Sequence, residues 1–176
     1  MLKMMVKKFR RNSAGFTLIE MIVAFGIALI ITSIIIGNLG AVKFRLALTR
    51  SAQRMSLDLH RAESDSLTSK EFKTFGVPKS WGVHFYGAGS TKYTIFADLD
   101  GDNTRAIDSV EDLETFNFEA GVSLTSSTIS DVIFIPPDPT VVFNPSVSLA
   151  SIVLSTIDGS LSRTVTINKF GAITTQ

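Results

Sequence analysis

Glu20 is the only charged residue in an apolar run that extends from Phe16 to Ile36, and it closely follows a Gly15-Phe16 junction. A carboxylate inside hydrocarbon costs about 2.5–3.5 kcal/mol unless it is paired or sits near the interface. Its chemistry is therefore that of one half of an ion pair. In low dielectric such a pair attracts far more strongly than in water. A glutamate that merely snorkels to the nearby membrane surface is the plainer alternative.

The second group that could do chemistry is Asp98-Leu99-Asp100-Gly101-Asp102-Asn103. Alternating carboxylates in a tight loop present several hard oxygens, the ligands that calcium takes. The run begins like an EF-hand loop, but Ser109 stands where that loop needs its bidentate glutamate and Asn103 where it needs glycine. Asp108 and Glu111 are offset from that position. A noncanonical calcium site would use Asp98, Asp100, Asp102 and Asp108. An ion-free acidic turn explains the same residues, because Asp, Asn and Gly are ordinary turn formers.

Catalytic chemistry has little to work with. The two histidines, His60 and His84, stand in no nucleophile or metal motif, and there is no cysteine for a thiolate or a disulfide. His60 reads as a helix-surface residue and His84 as a strand residue. The expectation is a protein that is not an enzyme.

The elements that position these residues follow from periodicity. From Phe16 to Ile36 a helix would measure about 31 Å, enough to cross a hydrocarbon core of about 30 Å. Lys3, Lys7, Lys8, Arg10 and Arg11 precede it with no acid among them, which holds the leader in the cytoplasm and sends the remainder across. An ordinary secretory signal has a shorter apolar run, of about 7–15 residues, with a small-residue cleavage site at its far end. Here the small residue, Gly15, lies before the run. A cut there would remove five positive charges and leave the spanning helix on the mature chain.

Ala41, Phe44, Leu48, Ala52, Met55, Leu59 and Ala62 then recur every three or four residues, predicting an amphipathic helix from Leu39 to about Lys70 whose stripe faces a β-sheet. Leu46 and Leu57 define a second face, available to another subunit. Gly37 and Gly40 weaken the helix where the two halves meet, each by about 1 kcal/mol relative to alanine, so a bend or local melting is expected there. The polar run from Glu63 to Lys73 and then Gly76-Val77-Pro78 end the helix.

Strand signals follow. Residues 81–86 and 93–97 flank Gly87-Ala88-Gly89-Ser90 and read as a hairpin. Further strands are predicted at 115–118, 122–125, 132–135, 141–143, 151–157, 164–168 and 172–174. The fold class is α+β, a long N-terminal helix on a mainly antiparallel β head. The organisation expected is a leader at 1–15, a transmembrane and assembly helix at 16–37, an amphipathic half at 38–70 and a head at 71–176. The head is acidic, with six Lys or Arg against twelve Asp or Glu.

Gly15-Phe16-Thr17-Leu18-Ile19-Glu20, with the basic leader before it and the apolar run after it, resembles the cleavage and N-methylation motif of type IV prepilins. The order of elements, with the segments 93–102 and 163–171, resembles more loosely the GspH/FimT branch of minor pilins and pseudopilins. The resemblance implies cleavage after Gly15 by a prepilin peptidase, methylation of Phe16, and pairing of Glu20 with the Phe16 amine of a neighbouring subunit. It implies as partners other pilin or pseudopilin subunits, the assembly platform of a pilus or type II secretion machine, and the inner membrane. Some FimT-like pilins are thought to bind DNA at the filament tip. Phosphate binding needs a basic stripe, however, and Arg163 with Lys169 makes a thin one.

Overall fold

The computed structural model describes residues 15–137 and 140–176, with the side chains of 37–39 and 41 left aside. The basic leader therefore lies outside the described residues, apart from Gly15, and so does Asp138-Pro139 within the proline-rich turn. Helix α1 spans Leu18–Leu67 and is followed by nine strands. These are β1 (Ser80–Phe85), β2 (Lys92–Asp98), β3 (Asp112–Asn117), β4 (Val122–Ser127), β5 (Asp131–Ile135), β6 (Thr140–Asn144), β7 (Leu149–Thr156), β8 (Ser162–Asn168) and β9 (Ile173–Thr175). Each predicted strand is present within a few residues of its expected ends. The fold is α+β.

The chain divides into two compact units, Met1–Gly40 and Ala41–Gln176. In the first, Leu18–Ile36 is long and apolar enough to cross a membrane, and none of it is buried among the described residues. A bare apolar helix of that length needs lipid or other helices around it. The backbone remains helical through Gly37 and Gly40, so the local melting expected at the two glycines does not occur.

In the second unit the helix and two antiparallel sheets share one core. Strand order is β3-β2-β1-β5-β6 in the first sheet and β4-β7-β8-β9 in the second. The helix buries Leu48, Ala52, Met55, Leu59 and Ala62, five of the seven stripe positions. Full burial of a side chain the size of Leu48, Met55 or Leu59 is worth about 1.5–3 kcal/mol. Against them stand Trp81, Val83 and Phe85 of β1, Tyr93 and Ile95 of β2, Ile152 and Leu154 of β7, and Val165 and Ile167 of β8. The period-2 spacing of these residues puts them on the inner faces of their strands.

Phe44 departs from the stripe, because it remains 41% exposed and its ring lies against Gly121 in the β3–β4 turn. A Cβ on Gly121 would come within 2.7 Å of that ring. Full burial of the helix by the head starts at Leu48. On the outer face of the first sheet, Gly82 pairs with Phe96 across β1–β2. Here glycine is required by space, since a Cβ would lie 2.6 Å from the Phe96 ring and 2.8 Å from the Val132 carbonyl oxygen.

Polar contacts join the helix to the first sheet and to the turn that follows β3. Ser51 Oγ accepts from the Glu119 amide at 3.0 Å, Arg61 Nη1 donates to Glu114 Oε2 at 3.1 Å, and Ser66 Oγ donates to the Phe134 carbonyl at 2.6 Å. In the middle, the buried Tyr93 hydroxyl donates to Asp58, whose carboxylate also lies 3.7 Å from Arg54. The Arg54 guanidinium sits 4.7 Å above the Phe116 ring. Sequence periodicity did not reveal Asp58 as a buried residue; a carboxylate on the apolar stripe's flank is ordinarily solvated.

Candidate functional site

The start of α1 is organised by residues of the Gly15–Glu20 segment. Thr17 is the helix N-cap: its carbonyl accepts from the Met21 amide at 3.2 Å and its Oγ1 from the Glu20 amide at 3.3 Å. Glu20 Oε2 reaches back and accepts from both the Thr17 amide and the Thr17 hydroxyl, each at 2.9 Å. This is a reciprocal capping box, in which a Thr and a Glu three residues apart satisfy each other's orphan amides. The spacing was visible in the sequence as Thr17-Leu18-Ile19-Glu20, and reading it as a cap would have oriented the carboxylate.

The box has two chemical consequences. It holds the carboxylate against the Thr17 amide, one residue along from Phe16, which would carry the amine of a chain cut after Gly15. It also uses only Oε2, because Oε1 accepts no hydrogen bond among the described residues. A positive group from outside the chain can therefore approach the carboxylate without dismantling the cap. Gly15 and Phe16 lie before the helix and are exposed, so the peptide bond between them is uncovered among the described residues.

The acidic loop joins β2 to β3. It brings together Asp98, Asp100 and Glu111, each offering a carboxylate oxygen within 4.8 Å of the others. Asp102 and Asp108 are directed elsewhere: Asp102 Oδ1 accepts from the Thr104 amide at 2.7 Å, and Asp108 Oδ1 from the Val110 amide at 3.2 Å. The grouping thus differs from the four aspartates expected, with Glu111 in place of Asp102 and Asp108. Glu111 comes into the group because the Ala97 amide donates to its carbonyl at 2.9 Å, pairing it with the end of β2.

Asp98 and Glu111 hold the loop closed through its own amides. Asp98 accepts from Gly101 N at 2.6 Å, Asn103 N at 3.2 Å and Ser80 Oγ at 2.8 Å. Glu111 Oε1 accepts from Leu99 N and Oε2 from Ala106 N, both at 2.8 Å. All four oxygens of these two buried carboxylates are engaged, so protein donors alone suffice to shape the turn. Burial pushes the Glu111 carboxyl up from its usual range, with the Leu99 and Ala106 amides opposing and the charges of Asp98 and Asp100 assisting. Arg105 forms a bidentate pair with Asp112 at 2.5 and 2.6 Å outside the cluster.

The histidines occupy the expected elements. His60 is on the helix surface with its Nδ1 3.2 Å from Glu63 Oε2. His84, in β1, lies 2.7 Å from Asp131 Oδ1. The nearby Ser130 hydroxyl donates to Asp131 Oδ2 at 2.7 Å, so it is tied to the carboxylate and not to the imidazole. No nucleophile–base pair forms there. Arg163 begins near the start of β8 and Lys169 follows its end, about 20 Å apart at roughly 3.3 Å per residue, and they do not merge into one basic patch.

Residues 10–36 match the family described as the prokaryotic N-terminal methylation motif. No curated protein and no solved structure matches the chain. The chain thus carries the signal of a type IV prepilin-like precursor, and its apolar N-terminal helix agrees with anchoring in a membrane. That signal points to a structural protein processed by a prepilin peptidase and assembled with other pilins.

Proposed function

We propose that this protein is a structural subunit of a type IV pilus or type II secretion filament, cut after Gly15, methylated at Phe16 and assembled through its N-terminal helix. The observation that supports this best is the capped helix start. Glu20 is held by Thr17 at the head of a 19-residue apolar segment that is unburied among the described residues. In an assembled filament the helices of neighbouring subunits would cover that segment, and a neighbour's Phe16 ammonium would bind the open Oε1 of Glu20. Charge pairing then fixes the axial register of packing that is otherwise apolar and non-directional.

The order of elements, a long helix, a strand pair, the acidic loop between β2 and β3 and then further strands, with the segments 93–102 and 163–171, supports a place in the GspH/FimT branch of minor pilins and pseudopilins. In that role it resides first in the inner membrane with the head extracytoplasmic, and then in the filament, with the assembly platform acting on it. N-terminal mass spectrometry of protein from cells with an active prepilin peptidase tests the reading. The expected mature chain begins at N-methylated Phe16. A chain that still begins at Met1 under those conditions overturns it.

A further inference from the structure

Within the unit Ala41–Gln176, the first turns of helix are bare. Val42 is 61% exposed, Leu46 45% and Phe44 41% with its ring against Gly121, and Leu48 is the first fully buried side chain. Lys43, Arg45 and Arg50 are interleaved with these apolar residues, and none has an ion-pair partner among the described residues. In this collar Val42 and Leu46, four residues apart, share one face of the helix, flanked by Arg45 on one side and by Lys43 and Arg50 on the other.

The same unit carries the complementary surface. In the β2–β3 loop Ile107 is 98% exposed and Val110 43%, and Asp100, Asp102 and Asp108 are exposed without an ion-pair partner among the described residues. Three unpaired carboxylates around apolar tips thus match three unpaired cations around apolar helix positions. The two surfaces cannot meet within one copy. The strand β3 runs back along the helix, with Glu114 at Arg61 and the Gly121 turn at Phe44. From Phe44 to Arg61 the helix rises about 26 Å, which separates the collar from the loop.

We propose that the collar of one subunit receives the acidic β2–β3 loop of a second copy of this chain, with Lys43, Arg45 and Arg50 facing Asp100, Asp102 and Asp108 around a contact of Val42 and Leu46 with Ile107 and Val110. The inference rests on the filament reading above. A surface that binds a different surface on the next copy is heterologous, and such contacts propagate as open helical assemblies where the rotation does not close. Opposite charge at the two surfaces fixes the direction of addition, because like ends repel.

Absence of native cysteine makes the contact directly testable. The double variant Arg45→Cys/Asp102→Cys, expressed with the assembly machine and treated with a short bis-maleimide, is expected to give a ladder of dimers, trimers and higher species, whereas each single variant gives none. As a second arm, Asp100→Lys/Asp102→Lys should lower filament incorporation by about tenfold, and adding Lys43→Glu/Arg45→Glu should restore most of it. Double-cysteine protein that is mature at Phe16 and present in filaments but forms no ladder overturns the contact, including the case in which anionic lipid headgroups cover the collar. Failure of the paired charge reversal to restore incorporation also overturns it. A chain left uncut at Gly15 is a different result, which removes the filament reading itself and this contact with it.

Discussion

Replacing Tyr93 by phenylalanine isolates the polar link between the helix and the first sheet. The Tyr93 ring is fully packed, with Phe116 at 5.5 Å and Phe118 at 5.3 Å between centroids, so the substitution removes the hydroxyl and leaves the shape. Burial, followed by the hydrogen bond to Asp58 and its charge, pushes the phenol far above its usual range, so Tyr93 acts as a donor throughout the ordinary pH range. Without it, Asp58 keeps Arg54 at 3.7 Å as its ion-pair partner but loses its buried donor. A hydrogen bond to a charged acceptor is worth about 1.5–3 kcal/mol. With a urea m-value of about 2 kcal/mol/M, the unfolding midpoint should fall by about 1 M. Trp81, the sole tryptophan, is 1% exposed on β1 and reports the transition by fluorescence in detergent-solubilised full-length protein. A midpoint within about 0.2 M of the wild type would refute the claim that this bond holds helix to sheet. A double-mutant cycle with Asp58→Asn should show that the two losses are not additive.

Glu20→Ala is expected to be cut and methylated normally but to enter filaments poorly, as read by comparing its abundance in sheared filaments and in membranes; wild-type incorporation would count against the charge-pair role. For the acidic loop, the raised pKa of Glu111 means that the folded state binds its proton more tightly than the unfolded state does. Its contribution to stability is therefore fully present below the unfolded-state carboxylate pKa and is lost as pH rises through the folded one. Wild type should accordingly lose more urea midpoint between about pH 4 and about pH 7 than Glu111→Gln does, and equal losses would contradict the burial argument. Because Asp98 and Glu111 are already satisfied by amides and a hydroxyl, about 1 mM calcium should leave the midpoint at neutral pH unchanged, whereas a rise would show that an ion recruits these carboxylates.

Local chemistry made the N-terminal half legible in the sequence. The Gly15–Glu20 segment, the apolar run to Ile36 and the stripe from Leu48 to Ala62 declare themselves through residue type and spacing within a few turns, which is the range over which helical periodicity acts. The strands were located for the same reason, since alternation and turn residues are local. The capping box was equally local, yet the Thr17–Glu20 pair is masked by the larger signal in which it sits.

What tertiary structure alone decided is which distant segments meet. Nothing in the pattern of β1 says that it lies between β2 and β5, or in that of β4 that its partner is β7, because each strand presents the same backbone donors and acceptors to any neighbour. Glu111 joins Asp98 and Asp100 through the β2–β3 pairing, and Asp58 is buried because the sheet places Tyr93 above it. Spacing along a chain determines the face on which a side chain points. The choice of which faces close on one another depends on the collective burial of a core assembled from residues far apart in sequence.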